Sequence, residues 1–338
     1  MQKQDKVFLD SWLDYKLASE ACAKSTCDKY RNYVERLSEF LKSKSLLLAV
    51  KEELIEFTGL HLHEAGASPS SRRAAVAAVK GFYSWLHEND HVQTNESEKI
   101  VYPKKLSKVP IVMGLKNSEK LLMQPDISTF KGLRDAAIIS VLIGTGARIN
   151  GVTNLNQNDL IPFDYDGVER LAVRLREKGG KERMIPLPAE SAILVRAYLG
   201  HDELQSCDRC LASGDQVLFI NLKNNHTPSF EHRGESRRLT PGGIRKMIKE
   251  YAELAGIPED QAHPHALRHL VGSELAEDSA STLEIMTILG HTKEETTKIY
   301  TRLALRKLTT LMDKSNPLGK TNTPVSPLVK EFREKGLL

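Results

Sequence analysis

His265-Ala266-Leu267-Arg268-His269, followed by Leu289-Gly290-His291 and then Tyr300, holds the groups on which the reading of fold and chemistry turns. Three histidines, an arginine and a tyrosine in one short segment suit the holding of a phosphodiester and its attack by a phenol. A phenol ionises only near about pH 10, so it attacks phosphorus poorly unless its proton is taken. The phosphate gains charge in the transition state and needs fixed cations aimed at its non-bridging oxygens. Arginine serves well, because its planar fork binds two oxygens and stays charged. Arg268 is one candidate, and Arg148, far upstream in Thr145-Gly-Ala-Arg148, is the second. The leaving 5′-oxygen needs a proton, for which Lys178 in Glu177-Lys-Gly-Gly-Lys-Glu-Arg183 is the candidate and Lys181 the substitute. His265 is suited to accept the tyrosine proton and His291 to donate to a phosphate oxygen. Singly, each residue has a plainer reading as a surface charge, a polar turn or a helix cap. Their joint occurrence, with tight spacing over the last four, favours the chemical one.

Bulk properties permit this chemistry without demanding it. The 338 residues suffice for two cores, and 40% hydrophobic with 27% charged residues is an ordinary globular composition. A net charge of +4 is mildly basic, so any DNA-binding face must come from the arrangement of charge. The start, Met1-Gln-Lys-Gln-Asp-Lys, lacks the apolar core of a signal peptide, and no run approaches the roughly 18 apolar residues of a membrane span. A cytoplasmic protein with no membrane partner is expected. Cys22, Cys27, Cys207 and Cys210 are then expected as reduced thiols. Cys207-Asp-Arg-Cys210 has the spacing of half a zinc site, with His201, His226 and His232 nearby. No second Cys-x-x-Cys completes it, and no metal or other cofactor is expected.

Residues 1–90 read as helical: one stripe runs through Phe8, Trp12, Leu13 and Leu17, another from Thr26 to Phe40. A shorter helix covers Leu54 to His63, and a fourth starts after Ser68-Pro69-Ser70-Ser71 and carries Val76, Val79, Phe82, Tyr83 and Leu86. Arg72 and Arg73 at that helix start are candidate phosphate contacts. Residues 91–112 lose the period and read as a linker, in which Lys104 and Lys105 suit a duplex backbone. The second domain is expected over 113–314. In it 132–144 form a buried helix, and Leu171, Val173 and Leu175 alternate with Ala172, Arg174 and Arg176 as one arm of a β-hairpin. Lys181, Arg183 and Arg245 are further candidate DNA contacts. Thr240-Pro241 opens another helix. An inserted element is expected over about 201–239 and a C-terminal tail over 315–338, ending in a short helix.

The chain resembles the tyrosine recombinase, or phage-type integrase, family over its domain order and almost its whole length. Thr145-Gly-Ala-Arg-Ile-Asn150 resembles the family's first-arginine box and Glu177–Arg183 its hairpin with the catalytic lysine. His265-Ala-Leu-Arg268 matches its His-x-x-Arg box, and Leu289-Gly-His291 with Tyr300 its closing histidine and nucleophile. The resemblance implies a mainly α fold with a small β-hairpin or sheet: a helical core-binding domain plus a mixed α+β catalytic domain, simple and Xer-like. It implies a site of Arg148, Lys178, His265, Arg268, His291 and Tyr300, and strand exchange through a 3′-phosphotyrosyl link without cofactor. It also implies double-stranded recombination sites as partners and a homo-tetramer on DNA, monomeric or weakly associated when free, with the tail docking on a neighbour. One departure is Gly151, where the family often has an acid three positions after the first arginine. A type IB topoisomerase-like enzyme is the nearest alternative. A metal-dependent hydrolase built on His263, His265, His269 and His291 is a remoter one, since no glutamate stands between His265 and His269 as base; His263 and His269 are expected to be structural.

Overall fold

The computed structural model describes the chain apart from residues 21, 43, 105–110, 177–181, 224–227, 279, 291–300 and 337–338, and apart from the side chains of 229 and 301–307. Two units separate by their internal contacts, Met1–Val109 and Pro110–Leu338.

In the first unit, α1 (Lys3–Ala18) and α2 (Lys24–Phe40) precede α3 (Lys51–Glu56), which runs through a π-turn at Phe57–His61 into α4 (Leu62–Glu64). Then comes α5 (Pro69–Glu88). Ser68 caps α5 by accepting from Ser71 N–H, and Pro69 sits in the first turn, where its missing N–H is no loss. The α5 face of Val76, Val79, Phe82, Tyr83 and Leu86 is buried. Trp12, with no exposed surface, stacks on Tyr30 at 5.6 Å between ring centroids and leans on Phe82. Two polar groups in this core are paired with the start of the Leu46 turn: Asp5 accepts from Ser45 and from Leu46 N–H, and Tyr83 donates to the Leu46 carbonyl. Beyond α5 the chain stays on this unit for some distance. Ile100 joins the core, Ser97 is buried, and Lys80 donates to the carbonyls of Glu98 and Ile100.

The second unit begins with α6 (Leu115–Leu122), α7 (Phe130–Thr145) and α8 (Ile149–Thr153). Almost every residue of α7 is buried; its second half is apolar on nearly every side, and the buried Arg134 and Asp135 are paired with each other. An antiparallel sheet follows in the order β1 (Leu160–Tyr165), β2 (Val168–Arg176), β3 (Glu182–Pro186). The hairpin arms β2 and β3 match the alternation in the sequence, whereas β1 does not show there, because Pro162 interrupts it. Proline is tolerated on this edge strand, opposite Leu171. The turn Asp166-Gly167, both at positive φ, is a two-residue hairpin loop and the signal that would have revealed β1.

Next come α9 (Ala189–Leu199), α10 (Asp202–Gln205) and α11 (Pro241–Leu254), the last capped by Thr240. The stretch 201–239, expected as an inserted element, contributes Val217, Leu218, Phe219 and Ile220 to the core with no exposed surface. Finally α12 (Pro264–Glu277), α13 (Thr282–Leu289), α14 (Thr301–Ser315) and α15 (Ser326–Glu334) close the unit. The tail lies on its own unit: Leu318, Val325 and Val329 are in the core, and Asn316 donates to the Gly144 carbonyl at 2.7 Å. No described helix is long and apolar enough to cross a membrane.

Candidate active site

Three chain breaks create the site. Helix α7 ends at Gly146, which adopts φ +60° and turns the chain so that Arg148 immediately precedes α8. A β-carbon at Gly146 would stand 2.7 Å from Leu289 Cδ2, so close packing as well as backbone conformation demands glycine there. Helix α13 ends in the same way at Gly290, φ +65°. Helix α12 starts at His263, whose Nδ1 accepts from Ala266 N–H at 3.1 Å, with Pro264 in the first turn. His265 and Arg268 therefore lie in the first turns of α12.

Arg268 is buried at 5% exposure and donates to the Gly146 carbonyl at 2.6 Å and to the Leu289 carbonyl. It ties the end of α7 to the end of α13. Arg148 is exposed and reaches the next carbonyl, Gly290, from its two terminal nitrogens at 3.5 and 3.4 Å. These two contacts are long for hydrogen bonds. The two arginines, 120 residues apart in sequence, thus meet on consecutive carbonyls of one turn. His265 is exposed beside them. Loss of water around the ring, then His263, His269 and the guanidiniums of Arg268 and Arg148, hold it below the usual imidazole value. It is thereby kept neutral and able to accept a proton.

Lys178, His291 and Tyr300 lie outside the described residues, as do Lys105 and Lys181. Their neighbours are described: Arg176 ends β2, Gly290 caps α13 and Thr301 opens α14. Of the candidate DNA contacts, Arg73 donates to the Pro103 carbonyl at 2.6 Å and lies over the Tyr102 ring, so it holds the segment after α5. Arg72 is half-buried, Lys104 and Arg245 are exposed, and Arg183 stands in β3. Among the described residues no three of His, Cys, Asp and Glu are grouped to hold a metal ion. Cys207 donates to the Glu203 carbonyl and Cys210 is exposed.

At Gly151 a β-carbon would make ordinary contact with Leu175 of β2. The polar side of that strand faces Asp159, a residue the motifs did not single out. Its signal was present in Arg174 and Arg176, two arginines on one face of a strand whose neighbours must neutralise them.

Comparison with known proteins identifies the family. The phage integrase family model matches residues 113–306, and the model of the phage integrase N-terminal SAM-like domain matches residues 8–92. Tyrosine recombinase XerC of Oceanobacillus iheyensis is 27% identical over 94% of this chain and 99% of its own length. Tyrosine recombinase XerD of Vibrio cholerae is 27% identical over 93% of this chain and 97% of its own. In fold, the chain is similar to XerH recombinase bound to a palindromic difH substrate after cleavage, at TM-score 0.61 and 19% identity over 91% and 94% of the two chains. It is equally similar to a lambda integrase dimer, residues 75–356, on a core site, at TM-score 0.61 and 15% identity over 87% and 98%. With the larger part of its length matched by the one model and its N-terminal part by the other, the chain belongs to the phage integrase family of tyrosine site-specific recombinases.

Proposed function

We propose that this recombinase cleaves and rejoins double-stranded DNA at specific sites through a 3′-phosphotyrosyl bond to Tyr300. The observation that carries the reading is the meeting of Arg148 and Arg268 on the Leu289–Gly290 turn, with His265 on the same helix as Arg268. This supports a phosphate held by two guanidiniums close to where the chain enters His291 and runs on to Tyr300. In the first step the phenolic oxygen bonds to phosphorus and the phosphorus–O5′ bond breaks. His265 takes the phenol proton, His291 donates to a non-bridging oxygen, and Lys178, or Lys181 in its place, supplies the proton to O5′. In the second step a free 5′-hydroxyl from the other DNA site attacks the phosphotyrosyl link and releases Tyr300.

On this reading residues 1–90 and 113–314 are the core-binding and catalytic domains, joined by 91–112, and both engage the duplex. Arg72, Arg73, Lys104, Lys105, Lys181, Arg183 and Arg245 supply phosphate contacts, Arg73 once released from Pro103. The working assembly is a homo-tetramer on two sites in the cytoplasm. The tail from 315, which packs on its own unit here, docks on a neighbouring subunit in that assembly. Nothing in the geometry favours the relaxing topoisomerase.

The deciding experiment traps the covalent adduct on a nicked suicide substrate and sequences the attached peptide and DNA. Tyr300→Phe should bind DNA and form no adduct; an adduct surviving that change would overturn the nucleophile assignment.

A further inference from the structure

The base of the β2–β3 hairpin is held by a carboxylate for which the reaction above has no use. Asp159, in the turn after α8, has no exposed surface. One of its oxygens accepts from Arg174 Nε at 3.1 Å and from Arg176 at 2.6 Å; the other accepts from Arg176 at 2.8 Å and from Asn156 N–H at 3.0 Å. The Asn156 side chain in turn accepts from Arg238 at 2.7 Å, and Arg238 donates to the carbonyls of Thr153 and Leu155 at 2.9 and 3.0 Å. One network therefore joins the end of β2 to the end of α8, the helix that follows Arg148 directly. Arg176 is the last residue of β2 and pairs with Glu182, the first of β3, at 3.4 Å. Lys178 comes two positions beyond Arg176.

A buried carboxylate that accepts four N–H bonds, two of them from one guanidinium fork, has a single low-energy arrangement. Rotating the hairpin about its base would leave that charge without partners in a dry site, which is strongly unfavourable. The cluster therefore sets the direction in which β2 leaves the sheet.

We propose that Asp159 is a positioning residue for the leaving-group acid: through Arg174 and Arg176 it fixes the hairpin base so that Lys178 is delivered to the 5′-oxygen. This rests on the reading of a hairpin lysine as that acid. In the step concerned the Tyr300 oxygen–phosphorus bond forms, the phosphorus–O5′ bond breaks, and a proton passes from the lysine ammonium to O5′.

The test uses the full chain on suicide substrates bearing either oxygen or sulfur at the bridging 5′ position, since a thiolate leaves without being protonated. Asp159→Asn, and Arg176→Gln at a partly exposed side chain, should cleave the oxygen substrate at least about tenfold slower and the sulfur substrate within about threefold of the unchanged protein. Equal slowing on both substrates, or no slowing on oxygen, overturns the proposal. Asp313→Asn breaks another carboxylate contact to β2, with Arg170 at 2.9 and 2.5 Å. Any defect it causes should persist on sulfur; rescue there would deny Asp159 its specific role. Lys178→Ala and Lys181→Ala run alongside. If sulfur restores neither, the lysine reading itself fails and the proposal with it. If sulfur restores a lysine variant but not Asp159→Asn, only the role of Asp159 is lost.

Discussion

The N-terminal unit buries no arginine or lysine among its described residues, whereas the C-terminal unit buries Arg134, Arg170, Arg209 and Arg268. The first is closed by Trp12, Phe57, Phe82 and aliphatic side chains, with a few paired polar groups. In the second, each buried guanidinium is tied to a carbonyl or carboxylate: Arg134 to Asp135 and Ile220, Arg170 to Asp313, Arg209 to Val217, Arg268 to Gly146 and Leu289. An apolar core tolerates small shifts of its parts, but a buried guanidinium is tolerated only where its acceptors stand in one arrangement. The C-terminal unit thus has its loops fixed by charge, as positioned chemistry requires. The N-terminal unit is stabilised mainly by area removed from water.

The contrast is tested most severely at the two arginines of the site. Arg268→Ala should lower cleavage by orders of magnitude and also lower the melting temperature, because two buried carbonyls lose their donor. Arg148→Ala should slow cleavage by about 10²–10³-fold with a smaller drop in melting temperature than Arg268→Ala, because the Arg148 side chain is exposed where Arg268 is buried. Suicide-substrate cleavage and thermal melts on both variants read the difference; an equal drop in the two melts would break it. In the N-terminal unit, Trp12→Ala should cost about 3–5 kcal/mol in denaturant unfolding through lost packing alone. A loss below about 1 kcal/mol would mean the unit does not depend on its aromatic centre.

Gly146→Ala probes the carbonyl end of the Arg268 tie. Its positive φ costs an L-residue about 1–2 kcal/mol, and the added carbon meets Leu289. The same melts should show that loss, with slower cleavage as Arg268 is displaced. The smallest effect concerns pH. His265 titrates below its unfolded value of about 6.5. Its neutral form therefore contributes stability fully above that pH, and the contribution fades as pH falls through the lower folded value. Cleavage should accordingly hold on the acid side of about pH 6.5, and His265→Gln should remove that acid limb; a limb centred at or above 6.5 would contradict the environment described.

Much of this architecture was legible in the chain itself. Ser68-Pro69, Thr240-Pro241 and His263-Pro264 mark helix starts by chemistry that acts over a single turn. The apolar run after Phe130 could only be a buried helix. The edge strand β1 escaped because Pro162 breaks its alternation, although Asp166-Gly167 announced its turn. Within 201–239 the core residues are few and widely separated from their partners, so the burial of Val217–Ile220 could not be read locally. No local pattern reveals the bond from Arg73 to the Pro103 carbonyl, thirty residues on.

By itself the sequence determined the chemical inventory: two arginines, a hairpin lysine, histidines and a tyrosine in fixed order, on helices and turns set by short-range rules. The tertiary structure decided what surrounds each one. It buried Arg268 between the ends of α7 and α13, left Arg148 exposed on the neighbouring carbonyl, and set Asp159 beneath the hairpin. Local sequence cannot show such pairings, because they are closed by partners from 15 to 142 residues away and hold only where the core brings those partners together.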